Sequence, residues 1–184
     1  MFQPFDGGGR DLTALTQAVV NNVLVHETWN ESAEDAVKVL FSAVRKNAKI
    51  ELIDLRDEFD EFLENMYSVP GGHEHAAAMW VSIGADAIEL AKKSGHTISE
   101  STLQLTLIEK QTDYGPENIK RFGRQGLMVR MHDKIARLEN LLAAGRTPKN
   151  ESIYDTYLDI AGYAAIGIMW ETRTFLLPLR APTP

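Results

Sequence analysis

Apolar side chains recur every three or four residues along this chain, with no run of strict alternation, and that period predicts helices throughout. Leu12, Leu15, Val19 and Val23 form the stripe of a first helix from Leu12 to about Glu27, capped by Asp11 and broken at Asn30-Glu31-Ser32. Ser32, with Asp35 three residues on, opens a second helix carrying Ala36, Val37, Val39, Leu40 and Val44. Further helices are predicted from Glu51 to Tyr67, from His73 to Lys93 with Gly95 as C-cap, and from Ser99 to about Lys110. Tyr114-Gly115-Pro116 stops the last of these, and a short turn of helix runs from Pro116 to Phe122. Two long helices follow, from Gly126 to Ala144 and from about Asn150 to Trp170. The pattern predicts one all-α domain over residues 1–184, a multi-helix bundle. Its last two helices, joined only by Gly145 to Lys149, are expected to pair antiparallel. Residues 172–184, with Pro178, Pro182 and Pro184, read as a C-terminal arm.

Composition narrows the function. The 184 residues carry 19 Lys and Arg against 26 Asp and Glu, a net charge of −7, which argues against a general nucleic-acid-binding surface. The 44% hydrophobic content is that of a globular chain able to bury its own core, and the absence of Cys leans towards a reducing compartment. No stretch approaches the ~18 apolar residues of a membrane span, and Met1 to Arg10 has no basic region before an apolar run. A soluble, cytoplasmic protein with no membrane partner is the expectation. Charge is divided unevenly: residues 1–98 hold 8 basic and 16 acidic side chains, residues 99–184 hold 11 and 10. An anionic ligand is therefore best sought in the second half.

The last predicted helix holds the clearest chemistry. Glu151, Asp155 and Asp159 recur at i, i+4 and i+8, within roughly 80° of one another at 100° per residue, on a helix otherwise apolar all round. Stacked carboxylates call for a cation. Mg²⁺ or Mn²⁺ suits an all-oxygen set, and Arg or Lys from a neighbouring helix would serve equally. On the preceding helix Met128, Met131, Ile135, Leu138 and Leu142 make the core stripe. Arg130, Asp133, Arg137 and Asn140 make a second stripe, either a solvated face or a phosphate-binding edge in which a guanidinium makes bidentate contacts.

The ordered run Lys110-x-x-Asp113-Tyr114-Gly115, Asn118, Gly123-x-x-Gly126, Arg130-x-x-Asp133-Lys134-x-x-Arg137-Leu138-x-Asn140-Leu141, Glu151-Ser152-x-x-Asp155-x-x-x-Asp159-x-x-x-Tyr163-Ala164 resembles the type-one nucleotide modification associated domain. That is a mostly phage and bacterial family, and the resemblance covers about residues 103–168. Its members are similar in helical character and acidic motifs to the all-α nucleoside triphosphate pyrophosphohydrolases of the MazG and dimeric dUTPase type. The resemblance implies an Mg²⁺- or Mn²⁺-dependent (deoxy)nucleoside triphosphate pyrophosphohydrolase, a homo-oligomer acting in phage nucleotide metabolism or DNA base modification. It implies Glu151, Asp155 and Asp159 as metal ligands, with Asp133, Glu151 and Asp155 catalytic, Asp133 orienting water or completing the metal shell. Lys110, Tyr114, Asn118, Arg130, Lys134 and Arg137 would bind the nucleotide. A nucleotide-binding protein without turnover and a helical accessory subunit are the alternatives.

The chain departs from the pyrophosphohydrolase pattern in its acidic half. Asp57-Glu58-x-x-Glu61 imitates one of its motifs, but Asp86-x-x-Glu89 carries the second with its acids reversed. Asp54, Asp57, Glu58, Asp60, Glu61 and Glu64 read as a solvated face beside Leu52, Leu55, Phe59, Phe62 and Leu63. His73 and His75 at i, i+2 do not share a helix face, His26 and His132 read as helix-surface residues, and Trp80, Trp170 and the methionines read as core.

Overall fold

The computed structural model describes residues 26–45, 49–65, 72–145, 147–149 and 151–180, and within them it is all-helical. The helices are α1 (Trp29–Ala43), α2 (Leu52–Asn65), α3 (Gly72–Lys93), α4 (Glu100–Tyr114), α5 (Glu117–Ala143) and α6 (Ile153–Glu171). The helix expected from Leu12 lies outside the described residues as far as position 25.

Asn30-Glu31-Ser32 is the first turn of α1 rather than a break. Thr28 caps the helix by accepting from the Glu31 N–H at 3.3 Å, while the Glu31 carboxylate accepts from the Thr28 N–H at 3.3 Å, a reciprocal capping box. Ser32 is left free to pack inward, where its hydroxyl lies 2.5 Å from that of Thr174. Ser99 caps α4, which runs one turn beyond the expected end near Lys110 to the predicted stop at Tyr114-Gly115-Pro116, with Gly115 at φ 64°. The turn expected from Pro116 and the long helix expected from Gly126 form one run, α5, kinked at Gly123 with φ 54° and ψ −141°.

The bundle is arranged about α6, which touches α1, α3, α4 and α5 and makes its most extensive contact with α3. Small residues let these two helices approach. A Cβ added at Gly84 would stand 2.7 Å from Ala164 Cβ and from Leu40 Cδ2, and one at Gly167 would stand 2.6 Å from Trp80 Cγ and Cε2. Trp29, Leu40, Leu55, Phe59, Phe62, Trp80, Met128, Met131, Ile135, Leu138 and Tyr157 fill the interior. Full burial of one such side chain contributes roughly 1.5–3 kcal/mol. Along α5, successive partners lie progressively earlier on or before α6: Arg124 holds Glu171, Lys134 holds Asp159, and Arg137 reaches Thr156 and the Glu151 carbonyl.

Several single-residue expectations need correction. Glu58 is buried, 5% exposed, because it lies on the same side of α2 as Leu55, Phe59 and Phe62. Asp86 and Glu89 are buried on α3, and Arg45 approaches Asp86 at 3.7 Å. Leu142, placed in the core stripe, is exposed because it lies in the last turn of α5, beyond that stripe's buried members. Nor is His26 on a helix surface: its Nε2 lies 2.8 Å from Asp35 Oδ2, ahead of α1. His132 is half-buried, its ring 6.2 Å from that of Phe59. The arm, irregular through Arg180, lies along the start of α1: the Trp29 N–H donates to the Pro178 carbonyl at 2.9 Å and Phe175 is buried. Among the described residues no helix is long and apolar enough to cross a membrane.

Candidate functional site

A cavity of about 340 Å³ opens between α1, α4, α5 and α6. Five of the residues singled out from sequence line it: Lys110, Tyr114, Asn118, Arg130 and Asp159. They come from three helices, and local spacing explains how. On α4, Leu107 and Gln111, and Lys110 and Tyr114, are i, i+4 pairs that share a face; on α6, Asp159, Tyr163 and Ile166 do the same. The Gly123 kink separates the segment of α5 bearing Asn118 and Ile119 from the segment bearing Arg130, and all three reach one cavity.

Charge inside the site is arranged as a chain. Lys110 pairs with Asp159 Oδ1, Lys134 lies 2.7 Å from Asp159 Oδ2, and the same ammonium lies 2.8 and 3.0 Å from the two oxygens of Glu151. Burial pushes the Asp159 carboxyl up, but hydrogen bonds and charge from Lys110 and Lys134 outweigh it and hold the group below its ordinary 3.8. Burial likewise works against the Lys134 ammonium, and the two carboxylates hold it above 10.5. Lysines thus supply the cation that the stacked carboxylates require.

Arg130 differs. Its half-buried guanidinium makes no hydrogen bond or ion pair with any described residue. The Gln111 and Asn118 amides are also without side-chain partners among the described residues, and the Tyr114 ring is 78% exposed at the mouth. A guanidinium, two amides and two phenols over an apolar floor of Leu107, Ile119 and Ile166 can take a small anion carrying a flat polar group.

The remaining sequence candidates lie elsewhere. Asp155 is exposed and closes the capping box of α6: its carboxylate accepts from the Ser152 N–H at 3.1 Å and its own N–H donates to the Ser152 hydroxyl at 3.0 Å. Arg137 braces the same helix start. Asp133 is exposed on the outer side of α5. Glu151 and Lys134 join the cavity only through Asp159. Among the described residues no group of three or more His, Cys, Asp or Glu side chains is arranged to hold a metal ion. Sequence reasoning quoted Tyr163 without a site role and passed over Gln111 and Ile166; the i, i+4 and i, i+7 spacings from Asp159 point to Tyr163 and Ile166, and the i, i+3 spacing to Tyr114 points to Gln111. It also passed over Trp29, which only the tertiary fold brings there. No family model, curated protein or solved structure matches the chain.

Proposed function

We propose that the protein binds a nucleotide or deoxynucleotide in the α4–α5–α6 cavity. A phosphate would be taken by Arg130 and Lys110, with the base near Tyr114 and Tyr163 and its polar edge within the Gln111 and Asn118 amides. The observation that carries this reading is the Arg130 guanidinium, without a partner among the described residues, in a cavity that also holds Lys110. A half-buried guanidinium with no counter-ion among the described residues is open to an anion, and a phosphate satisfies it bidentately. Incubating purified protein with canonical and modified (deoxy)nucleotides and following thermal shift tests it. Stabilisation of wild type that is lost in Arg130→Gln is expected, and the absence of any shift would overturn the reading.

A second reading, Mg²⁺- or Mn²⁺-dependent pyrophosphohydrolysis, is favoured by the convergence of Asp159 and Glu151 on the single Lys134 ammonium. Asp159 and Glu151 would hold a divalent ion in place of that ammonium, and the ion would supply charge to the phosphates and acidify a bound water. Metal-dependent release of nucleoside monophosphate and pyrophosphate, lost in Asp159→Asn, would establish it. A homo-oligomer belongs to the same proposal, with Phe122 and Val129, both exposed on α5, as apolar side chains it could cover, testable by light scattering. So does a cytoplasmic site of action, where the nucleotide pool lies.

A further inference from the structure

Resting on the nucleotide-binding reading, we propose that the cavity selects a phosphate monoester, bound without a divalent ion, over a triphosphate. The argument is one of charge. Lys110 and Lys134 face Asp159 and Glu151, two ammoniums against two carboxylates, so this chain of ion pairs is neutral as it stands. Among the described residues that line the cavity, Arg130 is then the surplus cation. One phosphomonoester brings between one and two negative charges, which Arg130 and a Lys110 shared with Asp159 can meet. Lys110 has the freedom to share, since half of its side chain is exposed, while Asp159 keeps its contact with Lys134.

A triphosphate brings about four charges, and the groups beyond the cavity oppose the excess. Glu109 and Asp113, both exposed, are the sequence neighbours of the cavity residues Lys110 and Tyr114, whereas Glu117, beside Asn118, is paired with Lys120 at 3.4 Å. Exposed like charge on the same helix disfavours the approach of a polyanion, most strongly at low salt. Volume points the same way, because 340 Å³ lies at the small end of the roughly 300–1,000 Å³ of small-molecule sites. Recognition of the remainder of the ligand falls to the amides of Gln111 and Asn118 and to the two tyrosine rings, which suit a base better than a bare sugar.

The test is isothermal titration of the full chain in EDTA at fixed ionic strength, with a deoxynucleoside mono-, di- and triphosphate, ribose 5-phosphate and inorganic phosphate as probes. The monophosphate is expected to bind at least about tenfold more tightly than the triphosphate, unchanged when Mg²⁺ replaces EDTA. Arg130→Gln should weaken it by about tenfold or more while melting as wild type does. Asp159→Asn, which leaves one further cation unbalanced, should narrow the gap between mono- and triphosphate. A triphosphate that binds as tightly in EDTA, or a monophosphate that needs Mg²⁺, overturns the selectivity and leaves nucleotide binding standing. Tight ribose 5-phosphate with weak nucleotides overturns the nucleotide reading but keeps the monoester. No binding by any probe overturns both.

Discussion

Gly123→Ala isolates the feature that divides α5 into its two cavity-facing segments. At φ 54° and ψ −141° the residue occupies a region open essentially to glycine, and an alanine there carries about 1–3 kcal/mol of backbone strain. The added Cβ would also stand 2.8 Å from Trp170 Cζ2 and 3.3 Å from Cε2, and overpacking of that kind costs about 1–3 kcal/mol. The two contributions together predict a loss of about 2–6 kcal/mol, a large share of a small domain's stability. Urea denaturation followed by circular dichroism would read it as a lower midpoint at unchanged slope. Trp170→Leu in the same background removes the steric part alone, so the double mutant should recover about 1–3 kcal/mol relative to additivity. A Gly123→Ala protein within 1 kcal/mol of wild type, or strictly additive behaviour with Trp170→Leu, would refute the account of the kink.

Three further outcomes follow from the same coordinates. Because Asp159 titrates below its ordinary 3.8 in the folded chain, its stabilisation is complete above that pH and is lost as the pH falls below it. Lys134, raised above 10.5, behaves in the opposite sense: its contribution is complete below that pH and disappears as the pH rises past it. Melting temperatures across pH should therefore separate wild type from Asp159→Asn at neutrality, with the difference narrowing as the pH falls below 3.8; a difference that does not change between neutrality and acid would refute the pairing. Glu171, fully buried and held by Arg124 Nε and Nη2 at 2.6 Å and by His73 Nδ1 at 2.6 Å, should cost about 3–5 kcal/mol when changed to Gln, measured by denaturant titration. Gly167→Ala, which drives a Cβ into the Trp80 indole, should lower stability by about 1–3 kcal/mol and alter the near-ultraviolet signal of that ring.

The helical class was legible because the apolar positions keep a 3.6-residue period over long segments. Helix ends were less so, and Thr28 shows why. Ser32-x-x-Asp35 and Thr28-x-x-Glu31 are both capping patterns by composition, and the buried contact of Ser32 with Thr174, 142 residues away, decides between them. Glu58 shows the same limit from the other direction: its acidic neighbours suggested solvent, whereas its position on the wheel beside Leu55, Phe59 and Phe62 directed it inward. In the site, Lys110, Tyr114, Asn118, Arg130 and Asp159 were legible as residues, yet which of them meet was a matter of tertiary geometry. Asp155 shared the i+4 spacing of its neighbours but lies in the first turn of α6, where the local demand of the N-cap takes its carboxylate.

Arg130 and Arg137 carry the last point. Seven residues apart on α5, they lie on one stripe of the helical wheel and were equal candidates for a phosphate. Arg137 reaches the Thr156 hydroxyl and the Glu151 carbonyl at the start of α6, so its donors are spent on the fold. Arg130, two turns earlier, lines the cavity with Lys110, Tyr114, Asn118 and Tyr163. None of these supplies a carboxylate, and the nearby Asp159 is already held by two lysines. The pair therefore predicts opposite phenotypes from one chemistry. Arg137→Gln should lower the melting temperature without a selective loss of ligand, and Arg130→Gln should leave melting nearly unchanged while ligand affinity falls. The reverse assignment would mean that the phosphate-binding edge lies at the start of α6 and not in the cavity.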